Sequence, residues 1–203
     1  MTIRDAHLAA RRRPDPRLSW PDSRLVRECL RDDEEAWSAL IEKYKSLIYS
    51  IPVKQGLSAD DASDIFQRVC LLLLAELGHL RRPEALPAWL IRVTSRECSR
   101  WRRQERRFVD EEAAGETVTR AEDQDPLPEQ VLASVKEEQI LRDALRSLPP
   151  RCRALIEMLF LETPSRPYRE VARSLGLATG SIGFIRGRCL GRLRRQLESL
   201  GFR

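Results

Sequence analysis

Nowhere in this 203-residue chain do apolar and polar side chains alternate over the length of a strand; they recur instead at three- and four-residue steps. That period is the period of an α-helix, so the chain is expected to be all-α. Leu25 and Cys29, then Ala36, Trp37, Leu40, Ile41, Tyr44, Leu47 and Ile48 mark a helical run from Asp22 that Gly56 interrupts. Ser58, Asp60 and Asp61 open a second helix, whose Ala62, Ile65, Phe66, Val69 and Leu73 share one face and which Gly78 closes. The prolines of LRRPEALPAW predict a short ordered turn before a third helix over about 87–107.

Composition reverses after that helix. Between Phe108 and Gln130 eight acidic residues stand against the single Arg120, with Gly115, Pro126 and Pro128 among them, which is the composition of a linker. Helical spacing returns through Leu132, Val135, Ile140, Leu141, Leu145 and Leu148, breaks at Pro149-Pro150 and resumes over 151–161. After the turn TPSRP, YREVARSLG reads as a short helix ended by Gly176, and TGSIGFIRGRCLGRLRR as a longer one capped by Thr179 or Ser181. The expected organisation is two small helical domains, 22–107 and 131–203, joined by an acidic linker at 108–130. A flexible basic arm, 1–21, precedes them, carrying Arg11, Arg12, Arg13, Pro14, Pro16 and Pro21.

The net charge of +5 is modest, but nearly all the positive charge is arginine, the better phosphate fork and base-edge reader. Five cysteines without a CxxC pair and only two histidines exclude a zinc site. The odd cysteine count and the lack of a signal peptide argue for a reducing cytoplasm, with the thiols buried and scattered. The longest apolar run, Val69 to Leu77, is broken by Glu76 and is too short to cross a bilayer, so no membrane partner is expected. No nucleophile has a histidine base, and no Gly-rich loop could cradle a phosphate. The chain therefore reads as a non-enzyme with no cofactor and no metal.

Two basic constellations point to nucleic acid. On the third helix Arg92, Arg96, Arg100, Arg103 and Arg107 step by three or four residues along one face, with Arg102 and Arg106 beside it. A polyanion would compensate the repulsion in such a row, although Glu97 and Glu105 can neutralise part of it internally. Trp89, Val93 and Trp101 read as core anchors there, and Trp101 sits where it could also stack on an unpaired base. The second constellation is the C-terminal helix pair, whose spacing is that of a helix-turn-helix, with Arg186, Arg188, Arg192, Arg194 and Arg195 on the second helix. That helix also holds Gly183, Gly187 and Gly191 at four-residue spacing, each costing it roughly 1 kcal/mol relative to alanine. The glycines leave a strip bare of side chains. Either the preceding helix packs on it, or it approaches a DNA backbone, leaving Ser181, Arg186 and Arg188 to make contacts.

These residues resemble the extracytoplasmic-function class of bacterial RNA polymerase sigma factors. DSRLVRECLRDDEEAWSALIEKYKSLIYSI, GLSADDASDIFQRVCLLLLAEL and LRRPEALPAWLIRVTSRECSRWRR resemble the sigma-two domain. LRDALRSLPPRCRALIEMLFLE and YREVARSLGLATGSIGFIRGRCLGRLRRQL resemble the sigma-four domain. The resemblance implies a factor that binds core polymerase and directs it to promoters. The D-x-x-Q element, Asp64, Ile65, Phe66 and Gln67 with Arg68 beside it, would dock on the clamp helices of the largest subunit, and the second subunit's flap is a further implied partner. Arg92, Ser95, Arg96, Arg100, Trp101 and Arg103 would contact the minus-ten element of promoter DNA. Thr179, Ser181, Gly183, Phe184, Arg186, Arg188 and Arg192 would read the minus-thirty-five element. The acidic linker would thread towards the polymerase active-site and RNA-exit channels. An anti-sigma protein, where one exists, would target the polymerase-binding faces.

The chain departs from that family where Gly183, Phe184 and Ile185 replace the polar residues many members carry on the first turns of the reading helix. The rival reading is a self-sufficient helix-turn-helix regulator that binds its operator without polymerase.

Overall fold

The computed structural model describes residues 15–113 and 129–202, with side chains described outside 106–113. Among these residues every regular element is helical. They form two compact units, divided after Val135.

The first unit starts earlier than the sequence suggests. A 3-10 turn, Pro16–Ser19, is capped by the Asp15 carboxylate, which accepts from the Arg17 amide at 2.8 Å. Leu18 and Trp20 then pack on the core, and the Arg24 guanidinium lies 3.6 Å from the centre of the Trp20 ring. The flexible arm expected over 1–21 is therefore corrected from Asp15 onward; residues 1–14 lie outside the described residues. Helix α1 (Asp22–Cys29) ends at a break where Asp32 takes a left-handed φ of 63°, so the single run expected from Asp22 is two helices. Helix α2 (Glu34–Lys54) begins on Asp33, whose carboxylate accepts from the amides of Glu35 and Ala36 at 2.9 and 3.0 Å. Glu34 and Glu35 in its first turn suit the positive end of the helix dipole. Gly56, at φ 80°, makes the turn that follows, a conformation open to glycine without a Cβ penalty.

Helix α3 (Ala59–Glu76) opens on a capping box in which Ser58 and Asp61 satisfy each other's backbone amides. Two 3-10 turns, Leu77–His79 and Pro83–Ala85, lead into the long helix α4 (Leu86–Ala113), which runs past the expected end at Arg107. Leu25, Leu40, Leu47, Ile48, Ile51, Ile65, Leu73 and Leu90 are fully enclosed where α1 to α4 pack together. One ion pair is set into this core. Asp22 accepts from Lys43 at 2.8 Å and from the Tyr44 hydroxyl at 2.7 Å, and Lys43 donates as well to the Trp20 carbonyl.

Helix α5 (Glu129–Ser147) resumes the chain, and its Val131, Leu132 and Val135 pack on the core of the first unit. The boundary between units thus falls inside this helix rather than at 131, and the linker expected over 108–130 is shortened at both ends by α4 and α5. Its middle, 114–128, lies outside the described residues.

In the second unit, α6 (Pro150–Ile156) continues as a π-turn, Glu157–Leu161, and is followed by α7 (Tyr168–Leu175) and α8 (Ile182–Ser199). Helix α7 ends in a Schellman motif. The Leu177 amide reaches the Ala172 carbonyl at 2.8 Å, and Gly176 is left-handed at φ 60°. Leu145, Leu148, Leu155, Ile156, Val171, Ala172 and Ile182 make the small core. Cys152 on α6 and Cys189 on α8 are joined in a disulfide, which corrects the expectation of scattered thiols for two of the five. Closing a loop of 37 residues contributes on the order of 3–4 kcal/mol in the chain-entropy account.

Candidate nucleic-acid and partner interfaces

Helix α3 splits the D-x-x-Q residues between its two sides. Asp64 and Gln67 are exposed, while Ile65 is fully enclosed and Phe66 is half-buried with its ring 5.0 Å from that of Tyr49. Ile65 is thus corrected from a contact to a core residue that fixes the rotation of the helix. Arg68 is exposed and lies 3.9 Å from Glu97 on α4, so it is partly held by its own fold. Beside Gln67 runs an apolar groove lined by Trp37, Ile41, Phe66, Gln67, Cys70, Leu71 and Leu74. Leu71 is 67% and Leu74 62% exposed, which is unusual for leucines in a well-packed unit. Neither leucine is among the residues expected from the sequence to meet a partner. The signal was there, because Leu71 to Leu74 are consecutive and four neighbours cannot share one face of a helix.

On α4 the arginine row has an exposed stretch. Arg92 and Arg96 are exposed, and Arg100 is exposed while donating to Glu97 at 3.2 Å. Glu97 is buried and joins Arg100 and Arg68, so the expected internal neutralisation acts here. Arg103 is half-buried, and Arg102 turns inward to the Gln55 carbonyl at the end of α2. Ser95 is only 8% exposed, on the core side of the helix, and is corrected from the contact set. Trp101 packs against the core with its indole nitrogen enclosed, which makes it an anchor for α4 rather than a stacking platform. The side chains of Arg106 and Arg107 lie outside the described residues.

Helix α8 presents the third surface. Thr179 belongs to an exposed 3-10 turn, and Ser181 stands at the N-cap of α8 but donates its hydroxyl to the Ala178 carbonyl instead of capping the helix. The expected side-chain cap is therefore not made, and the first amides of α8 have no side-chain partner there. Phe184 is 70% exposed with the Arg188 guanidinium 5.8 Å from its ring. Arg186 donates to the Tyr168 hydroxyl on α7 and is half-buried. Arg192 is turned towards α6, its guanidinium 3.8 Å from the Cys152 sulfur, and Arg194 pairs with Glu198. A Cβ placed at Gly183, Gly187 or Gly191 would meet nothing within 4 Å. The glycine strip does not pack on α7, so that of the two expectations is excluded and the strip stays bare.

The chain matches the family model Sigma-70 region 2 over residues 40–108, which takes in most of α2, all of α3 and α4 as far as the arginine row. It is also similar to the ECF RNA polymerase sigma factor SigE of Mycolicibacterium smegmatis. The identity is 28% over 147 residues, covering 72% of this chain and 56% of that relative, so the match spans only about half of the relative's length. Residues 40–108 thus match a sigma-70 region 2, and the longer alignment is to an extracytoplasmic-function sigma factor. Within the region-2 match lie the α3 groove with Asp64 and Gln67, and the exposed Arg92, Arg96 and Arg100. The α7–α8 pair lies outside it. No helix among the described residues is long and apolar enough to cross a membrane.

Proposed function

We propose that this chain is a sigma-70-family transcription initiation factor that joins core RNA polymerase and directs it to promoters. The observation that carries this reading is the exposed face of Arg92, Arg96 and Arg100 within the region-2 segment, on a helix whose other side is locked into a core. A rigid row of guanidinium groups is suited to a phosphate backbone. Arg92, Arg96, Arg100 and Arg103 hold the non-template strand near the minus-ten element, with Ser95 and Trp101 setting the helix behind them.

Asp64, Gln67 and Arg68, with the neighbouring Leu71 and Leu74, form the surface for the clamp helices of the largest polymerase subunit. A groove that leaves two leucines in water favours a helical partner with apolar anchors and a polar rim. Thr179, Ser181, Phe184, Arg186, Arg188 and Arg192 belong to the reading helix of a sigma-four-like domain, and the bare edge at Gly183 and Gly187 lets that helix lie close to a DNA backbone. The second subunit's flap and an anti-sigma protein are further partners, and the cytoplasm is the compartment where polymerase would be met.

Mechanistically the work is binding and strand capture, with no covalent step. Unstacking promoter DNA costs on the order of 1.4 kcal/mol per base step, which arginine contacts and polymerase offset together. The test is a gel shift of promoter DNA with and without core polymerase. A complex that forms only when both proteins are present supports the reading. Tight, specific binding by this chain alone would replace it with a self-sufficient regulator.

A further inference from the structure

The disulfide between Cys152 and Cys189 ties the helix that carries Arg186, Arg188 and Arg192 to α6, in a unit whose core is small. Their Cα atoms are 5.3 Å apart, within the normal range for a bridge between two packed helices. The two sulfurs differ in access. Cys152 is 7% exposed and Cys189 1%. The Arg192 guanidinium lies 3.8 Å from the Cys152 sulfur. A positive neighbour and partial access favour the thiolate that carries out exchange.

The other three cysteines provide the contrast. Cys29, Cys70 and Cys98 are unpaired, and burial pushes all three thiols up, Cys29 and Cys98 to about 12. Burial thus disfavours the thiolate form of these three.

We propose that Cys152 and Cys189 form a thiol–disulfide exchange site for low-molecular-weight disulfides, and that closing it docks α8 for DNA binding. In the dithiol form the Cys152 thiolate attacks one sulfur of a disulfide RSSR. The S–S bond breaks, one RS⁻ leaves and takes up a proton, and Cys152 is left as a mixed disulfide. The Cys189 thiol then loses its proton, attacks the Cys152 sulfur and displaces the second thiol. The sum is protein dithiol plus RSSR giving protein disulfide plus two RSH, in which the protein is oxidised and RSSR reduced. Arg192 is a positioning residue for the first step.

Two consequences link the site to α8. With the bridge open, only the apolar contacts of a short core hold α8 to α6, so a smaller fraction of molecules presents the docked helix. With the bridge closed, α8 is held beside α6 with the Arg192 guanidinium 3.8 Å from the Cys152 sulfur. The effect on DNA rests on the reading that α8 contacts duplex DNA; the exchange chemistry does not.

The test uses the full chain equilibrated in glutathione buffers from fully reducing to fully oxidising, trapped with a maleimide and mapped by mass spectrometry. Cys152 and Cys189 are expected to become protected together, while glutathione forms no lasting adduct at Cys29, Cys70 or Cys98. Reduction is expected to lower the melting temperature of the second unit by about 10 °C or more. Promoter affinity of the polymerase complex is expected to fall by about tenfold on reduction. Arg192→Gln is expected to slow mixed-disulfide formation at Cys152, with Arg192→Lys restoring part of the rate. Because Cys189→Ser could perturb the core, wild type reduced by a phosphine serves as the comparison without a substitution. A pair that stays open at every glutathione ratio, or whose closure leaves melting unchanged, overturns the proposal. Exchange with the melting shift but no DNA binding in either state would keep the exchange site and remove the DNA reading instead. Equal promoter affinity in both states would overturn the link to α8.

Discussion

Asp22 illustrates how single residues hold the first unit. Its carboxylate serves Lys43 and Tyr44 at once, and Lys43 has only the Trp20 carbonyl besides. Removing one partner of such an enclosed pair strands the other charge, so Asp22→Ala should cost about 3 kcal/mol, read as a lower urea midpoint. Leu71 and Leu74 are the opposite case. They contribute little to the core, so Leu71→Glu should leave the melting temperature nearly unchanged while reducing affinity for core polymerase by at least about tenfold in a binding titration. A loss of stability instead would mean that Leu71 packs more than its exposure shows. The buried thiols set a pH limit. Cys29 and Cys98 keep their protons in the folded state up to about 12, mainly through burial, whereas the unfolded chain releases them near the ordinary 9.0. The unfolded state binds fewer protons in that interval, so stability from these groups is complete below pH 9 and declines as pH rises towards 12. A denaturant series across that range checks the direction.

At the scale of elements, α8 and α4 make separable predictions. An alanine methyl at Gly187 meets open space, so Gly187→Ala should stabilise the second unit by up to about 1 kcal/mol. The same methyl would stand between the helix and a DNA backbone, so promoter binding should weaken as stability rises; unchanged binding would show that the strip faces solvent in the complex. On α4, each of Arg92→Ala and Arg96→Ala should reduce the salt dependence of promoter binding by about one unit of slope, because each phosphate contact removed releases one fewer counterion. Much of these elements was legible in the sequence. Ser58 with Asp61, Gly56, Gly176 and the proline pair at 149–150 mark helix ends through local backbone chemistry, which is why they could be read without a partner. Asp32 was not legible, since a left-handed aspartate is selected by packing of α1 on α2 and carries no glycine or proline signal. The side on which Ser95 falls was not legible for a similar reason, whereas Trp101 read as a core anchor and packs as one. A helical period gives the faces of α4, but only its packing decides which of them is turned inward. The Cys152–Cys189 bridge depends on the meeting of helices 37 positions apart, which no spacing rule captures.

At the scale of the molecule, the described residues form two helical units. The first contains the region-2 match, the groove beside Gln67 and the arginine face; the second contains the α7–α8 pair and the disulfide. The segment 108–130 carries eight acidic residues against the single Arg120. All of this depends on a polymerase that gains a start site from this chain. The decisive measurement is run-off transcription by purified core polymerase on a library of upstream fragments, with and without the protein. The account predicts transcripts that begin at defined positions only when the protein is present, and that fade when Arg92 and Arg96 are both replaced by alanine. Core polymerase that neither binds the chain nor starts at new sites would contradict it.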